Sequence, residues 1–104
     1  MAKLTIGWTA GFLEGEGCFS LNRGKYAVID AVQQQREPLE RLQKAYGVSI
    51  HRHSRGYYRW TITTHRAVEL IRKIWPYMSP KRRVQILKVL KIYLPLMTQK
   101  RRGR

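Results

Sequence analysis

The chain has 104 residues, 43% of them hydrophobic, which suits one small domain around a single core. Its 21 Lys and Arg stand against 6 Asp and Glu, a formal net charge of +15, so the expected partner is a polyanion, nucleic acid first and an anionic membrane surface second. The single Cys18 excludes an internal disulfide, and no stretch is apolar for long enough to span a bilayer. An intracellular, reducing compartment is expected, with cytoplasm, nucleoid and organelle all left open. Residues 1–4 lack a charged head followed by an apolar run, so no leader is expected. A membrane-surface role would need a basic amphipathic helix with an exposed apolar face, whereas the basic residues here are spread over the whole chain, which favours nucleic acid over a membrane.

Residues 5–16 read as a first helix, apolar nearly all round through Ile6, Trp8, Ala10, Phe12 and Leu13. Gly11 and Gly15 are four apart and share one face, where another helix can approach closely, either in a second copy or within the same domain. The helix ends on Glu16, just before Gly17. A carboxylate beside the unpaired carbonyls of a helix C-terminus is electrostatically misplaced and calls for a positive partner, a divalent cation among the candidates. The competing reading is a solvated side chain in a Gly-rich turn.

Cys18–Asn22 alternates as a strand, Arg23-Gly24-Lys25 turns, and Tyr26–Gln35 returns as a second strand with Ala27, Ile29 and Ala31 on one face. A helix follows from Glu37 or Pro38 to Tyr46, with proline in its first turn and Gly47 past its end. Val48–His53 and Tyr57–Thr63 form a second hairpin around Ser54-Arg55-Gly56. A third helix spans roughly 65–75 and stops at Pro76. Ser79-Pro80 starts a last helix, expected to end at Pro95. The predicted fold is therefore α+β: a four-stranded antiparallel sheet with the helices on one face. One domain covers 1–95, and a basic tail covers 96–104.

The other face of the sheet should carry Ser20, Asn22, Tyr26, Val28 and Asp30 from the first hairpin, and His51, His53, Arg59 and Thr61 from the second. Such a row suits a β-ribbon laid into the DNA major groove, with RNA-binding and ribosomal roles as the competing readings. His51 and His53 lack further ligands nearby in sequence and read as phosphate or base contacts rather than a zinc site. Cys18 has no evident base to activate it and reads as a small strand residue. Lys81-Arg82-Arg83 opposes the dipole at the start of the last helix, a place that favours phosphate; the competing reading is a solvated charge run.

The stretch Thr9-Ala10-Gly11-Phe12-Leu13-Glu14-Gly15-Glu16-Gly17 resembles the signature of the LAGLIDADG homing endonucleases, with Thr in place of the first Leu and Glu in place of both Asp. Val32–Leu39, Tyr46-Gly47-Val48, Tyr58-Arg59-Trp60 and Trp75–Lys81 also resemble family segments, so the likeness runs over residues 5–95. It implies an αββαββα core with a saddle-shaped sheet and a C-terminal helix. It further implies a site-specific double-strand DNA endonuclease that leaves short 3′ overhangs. One copy of the signature implies a homodimer on a palindromic or pseudo-palindromic site, packed through Thr9, Gly11, Phe12 and Gly15. By the same resemblance Glu16 and the Gly15 carbonyl would bind Mg²⁺ or Mn²⁺, Gln33 would orient the attacking water, and Lys81 would activate water or stabilise developing charge, while Glu14 would be structural. Glu in place of Asp lengthens the ligand arm by one methylene and alters the metal geometry. Arg23, Lys25, Gln35 and Arg55, with Arg82 and Arg83, would extend the DNA surface. The alternative is a non-cleaving binder of the same fold, an intron RNA maturase or a transcription regulator.

Overall fold

A computed structural model describes residues 5–102, with side chains through residue 96. Helix α1 (Ile6–Glu16) is capped by Thr5, whose hydroxyl accepts from the Trp8 N–H at 3.0 Å. Strand β1 (Gly17–Asn22) leaves it without a linker. The chain can turn this tightly only because Gly17 lacks a side chain: a Cβ there would lie 2.7 Å from the Leu13 carbonyl oxygen. A turn follows in which Arg23 (φ 55°) and Gly24 (φ 72°) are both left-handed and the Lys25 N–H reaches the Asn22 carbonyl at 3.1 Å. Two successive positive φ values mark a type I′ turn, whose twist matches a right-handed hairpin.

Strand β2 (Tyr26–Gln33), helix α2 (Glu37–Tyr46), strand β3 (Ile50–Arg52) and strand β4 (Tyr58–Thr63) come next. Helix α3 (Thr64–Ile74) runs into a 3₁₀ turn at Trp75–Tyr77, and helix α4 (Pro80–Arg102) closes the chain. Gly47 ends α2 in the left-handed region (φ 75°), and its N–H returns to the Gln43 carbonyl at 2.7 Å. The predicted order of elements holds throughout. Strand β2 is two residues shorter than expected and β3 covers only Ile50–Arg52 of Val48–His53, which leaves His53 in the turn.

The strands form one antiparallel sheet in the order β1-β2-β4-β3. Phe19, Ala27, Ile29, Ala31, Trp60 and Ile62 point to the helices and are buried. They pack with Ala10 and Leu13 of α1, Leu39 and Leu42 of α2, Leu70, Ile71 and Ile74 of α3, and Ile86, Val89 and Tyr93 of α4. All four helices thus contribute to one core on one side of the sheet.

Two expectations change. Pro95 does not stop α4, which runs through it to Arg102, so the expected tail from residue 96 begins as continuous helix; residues 103 and 104 lie outside the described residues. A proline removes one intrahelical hydrogen bond, at a cost of about 3 kcal/mol. Here it lies on the exposed side, where water can take the orphaned carbonyl four residues back. Thr9, expected at the dimer interface, is fully buried within the protomer: its hydroxyl pairs with the Tyr46 hydroxyl at 3.0 Å and donates to the Thr5 carbonyl at 3.3 Å. A helix with apolar residues all round has no stripe to tell inward from outward, and Thr9 falls on the inward side.

Candidate active site

Helix α1 delivers Glu16 to the edge of the sheet, and β2 ends beside it at Gln33. The Gln33 side-chain amide donates to Glu16 Oε1 at 2.8 Å and also to the Val32 carbonyl at 2.9 Å. These contacts orient an exposed carboxylate and leave its second oxygen with no protein donor among the described residues. The two border an open cleft of about 540 Å³ that is also lined by Val32, Gln34, Gln35, Arg55, Gly56 and Tyr57. Glu16, Gln33, Gln35 and Arg55, scattered through the sequence, are therefore neighbours in space. Gln34 and Tyr57 were not expected there; Gln34 adjoins two predicted residues, but nothing local in the sequence places the β3–β4 turn beside it.

Glu14, one half-turn before Glu16, has the opposite fate. Its Oε1 accepts from the Ser79 N–H at 2.9 Å, while its main-chain carbonyl accepts from Arg82 Nε at 2.8 Å. Ser79 is the residue before α4, and its own hydroxyl accepts from the Arg82 N–H at 3.2 Å. A capping box would satisfy the Ser79 N–H with an acid three residues on. That position holds Arg82, so Glu14 performs the task from another helix. The Ser79 hydrogen bonds hold the Glu14 carboxyl below its ordinary 4.5; burial opposes them, and the charges of Arg82 and Lys81 add smaller contributions in the lowering direction. The structural role expected for Glu14 is the one it has here.

The basic cluster divides. Lys81 is exposed and forms no hydrogen bond or ion pair among the described residues. It sits two residues from the Glu14–Ser79 contact and does not line the cleft. Arg82 and Arg83, expected on DNA, are instead held by the fold. Arg82 bonds to the Glu14 carbonyl and to Gln85 Oε1 at 2.9 Å. Arg83 stacks 4.8 Å from the Trp75 ring centre and donates to the Trp75 carbonyl at 3.2 Å. Guanidinium groups suit such planar, multi-donor contacts, and a run of three basic letters does not reveal them.

On the outer sheet face the strands place residues in rows: Cys18, Asp30 and Thr61; Ser20, Val28 and Thr63; Val32, Arg59 and His51; and Asn22 beside Tyr26. Ser20, Asn22, Asp30, Arg59 and Thr61, with Val28 and Thr63, line a shallow concavity of about 310 Å³. Thr63 was missed, although it shares the alternation of Thr61. Val28 is on the predicted face but only 7% exposed, so its neighbours cover it and little is left for a ligand to touch. Arg23, Lys25 and Tyr26 are exposed at the tip of the first hairpin, with the Lys25 ammonium 5.6 Å from the Tyr26 ring centre. His51 is exposed on the outer row. His53 braces the turn instead: its ring stacks on Tyr57 at 4.4 Å and its Nδ1 accepts from the Arg55 N–H at 3.2 Å.

Gly11 and Gly15 are exposed, and a Cβ at either would meet nothing within 4 Å. Phe12 is half-buried and stacks on Trp8 at 5.1 Å along one border of that face. Among the described residues no three His, Cys, Asp or Glu converge. The Glu16 carboxylate in the cleft is an oxygen donor of the kind that suits a hard cation, which keeps most of its shell as water and phosphate oxygen. No described helix is long and apolar enough to cross a membrane.

Two helix-flanked hairpins in one sheet, reached directly from a Gly-rich helix ending in acids, constitute the fold of the LAGLIDADG homing endonucleases. The homing endonuclease I-TnaI superposes with a TM-score of 0.71 at 24% identity, over 95% of this chain and 77% of that one. I-CvuI, solved on a DNA target with Mg and the DNA not cleaved, gives 0.64 at 20%, over 84% of this chain and 64% of that one. The LAGLIDADG meganuclease I-AabMI, bound to uncleaved DNA, gives 0.75 at 18%, over 93% of this chain and 38% of that one. The chain thus spans only part of the length of these proteins. No protein-family model matches it, and no curated protein matches it in sequence.

Proposed function

We propose that the protein is a LAGLIDADG homing endonuclease that hydrolyses both strands of a specific DNA site as a homodimer with a divalent cation, Mg²⁺ or Mn²⁺. The observation that carries this reading is the Glu16–Gln33 pair: an exposed carboxylate, aimed by an amide, at the edge of a sheet whose outer face is polar and cationic. A protein with +15 formal charge gains nothing from an acid at the approach of a polyanion unless that acid has work to do there. Glu16 and the Gly15 carbonyl would hold the cation. When bound, it would supply charge for the scissile phosphate and acidify a water. Gln33 keeps Glu16 in one orientation and has further amide capacity for a water. By the same resemblance Lys81 would activate water or stabilise developing charge on the phosphate.

The dimer is supported by the glycine face. Inside the protomer Gly11 and Gly15 could both be alanine, which favours helix by about 1 kcal/mol per position. Their retention makes sense where a second α1 packs on them. Two copies imply a palindromic or pseudo-palindromic target.

The test is incubation with Mg²⁺ and a plasmid library of randomised sites. The expected result is linearised plasmid with the parent protein and none with Glu16→Gln. Site-specific binding without cleavage under any divalent cation would replace this reading with a non-cleaving regulator or an intron RNA maturase. A monomer on DNA by sedimentation would remove the dimer.

A further inference from the structure

We propose that Asp30 selects cytosine in each half-site, by accepting a hydrogen bond from the cytosine N4 amino group in the major groove. The proposal rests on the reading of double-stranded DNA as the ligand of the outer sheet face.

The chain has six acids, and five have other roles or places. Glu37 and Glu40 pair with Arg41 and Arg36 on α2 at 3.0 and 3.2 Å. Glu14 holds Ser79, Glu16 faces the cleft, and Glu69 lies exposed on α3. Asp30 alone stands on the outer face, on an inner strand, between Cys18 and Thr61 in its row. Among the described residues no cation lies within ion-pair distance of it, although the surface is cationic. Arg59 is two residues along the neighbouring strand and lines the same concavity. The Thr61 hydroxyl donates to Asp30 Oδ1, which fixes the carboxylate and leaves Oδ2 without a protein donor among the described residues.

A carboxylate can only accept, and it is repelled by phosphate. A backbone contact to DNA is thus closed to it, and a base donor is the remaining attraction. In the major groove guanine shows N7 and O6, thymine shows O4, and adenine sets N7 beside its amino group; cytosine shows only the N4 donor. Each other base therefore puts an acceptor against Asp30, and cytosine does not. The O6 of the paired guanine lies beside that amino group, where a donor such as Arg59 can meet it.

Randomised duplexes selected by binding, without divalent cation so that cleavage plays no part, test this. The parent protein should fix one C·G pair per half-site. Asp30→Asn keeps the acceptor used by Thr61, and should lower the cytosine preference at that position roughly ten-fold and move it toward adenine, leaving other positions unchanged. Asp30→Ala should show no preference there. A second measurement uses the parent protein alone: thymine for cytosine at that position exchanges the donor for an acceptor and should weaken binding by about the same factor. Unchanged preferences at every position, with only a uniform gain in affinity, would overturn the proposal and make Asp30 a brace between strands. Selection of no sequence by the parent protein would instead overturn the DNA reading itself, and the two failures differ in whether a selected site exists.

Discussion

Glu14 and Glu16 leave the same turn of α1 two residues apart and meet opposite surroundings. Glu14 points to α4, where the Ser79 N–H takes its carboxylate and Arg82 takes its carbonyl. Glu16 points to the cleft and receives a single amide hydrogen bond from Gln33. The first contact satisfies a helix N-terminus that has no acid of its own in the capping position. The second leaves a carboxylate oxygen open to whatever enters the cleft. Two similar letters in one motif therefore divide into an internal helix cap and an exposed carboxylate that faces the cleft. What divides them is direction: on a helix, neighbours two apart point about 200° apart.

The sharpest way to break this contrast is to remove each charge in turn and read both cleavage and melting. Glu16→Gln keeps an acceptor for Gln33 and removes the charge. Cleavage in Mg²⁺ should fall by well over about 100-fold, since losing even an outer partner of a metal site costs about 10–100-fold. The melting temperature and the affinity for the selected DNA should stay close to those of the parent. A variant that cleaves normally would remove Glu16 from the chemistry, and one that melts much earlier would make it a second structural acid.

Gln33→Ala comes next. It deletes the amide that aims Glu16 and leaves the carboxylate itself, so single-turnover cleavage should fall about 10–100-fold. Gln33→Glu should do worse, because a second carboxylate would face Glu16 without a donor between them. DNA binding of Gln33→Ala should be unchanged; equal losses in binding and cleavage would show Gln33 acting as a DNA contact instead.

Most of this arrangement is legible in the sequence, for reasons that also define where legibility ends. Ala27, Ile29 and Ala31 alternate with Val28, Asp30 and Val32, so the sheet faces follow from the period of the strand. Ser79-Pro80 and Gly47 mark helix ends through their own backbone chemistry. Glu16 and Gln33 can be paired only through family resemblance, since nothing local connects residues seventeen positions apart. Arg82 and Arg83 mislead because the partners that hold them, the Glu14 carbonyl and the Trp75 ring, come from other elements. Thr9 misleads because only Tyr46, far along the chain, reveals its direction.

On the Glu14 side the expected effect is on stability. Glu14→Ala strips the Ser79 N–H of its acceptor at a part-buried helix end and should lower stability by about 1 kcal/mol, read as a lower urea midpoint with unchanged slope. Glu14→Gln keeps a carbonyl acceptor and should recover part of that loss. If Lys81 depends on this contact for its place, Glu14→Ala also lowers cleavage, and Glu14→Gln restores cleavage along with stability.

The smallest effect separates the two acids by pH. The Glu14 carboxyl is held below its ordinary 4.5 in the folded chain, chiefly by the Ser79 hydrogen bonds and then by Arg82 and Lys81. On acidification the unfolded chain therefore takes up this proton first. The contribution of Glu14 to stability is fully present above its ordinary value, and it is lost as the pH falls through 4.5 toward the lower folded value. Partial exposure to water keeps that contribution modest. Urea midpoints taken from about pH 6 down to about pH 3 should decline less steeply for Glu14→Gln than for the parent, since the variant has no proton to gain at this site. Parallel curves for the two would mean that the Ser79 contact does not depend on the charge of Glu14, and the difference between the acids would then rest on geometry alone.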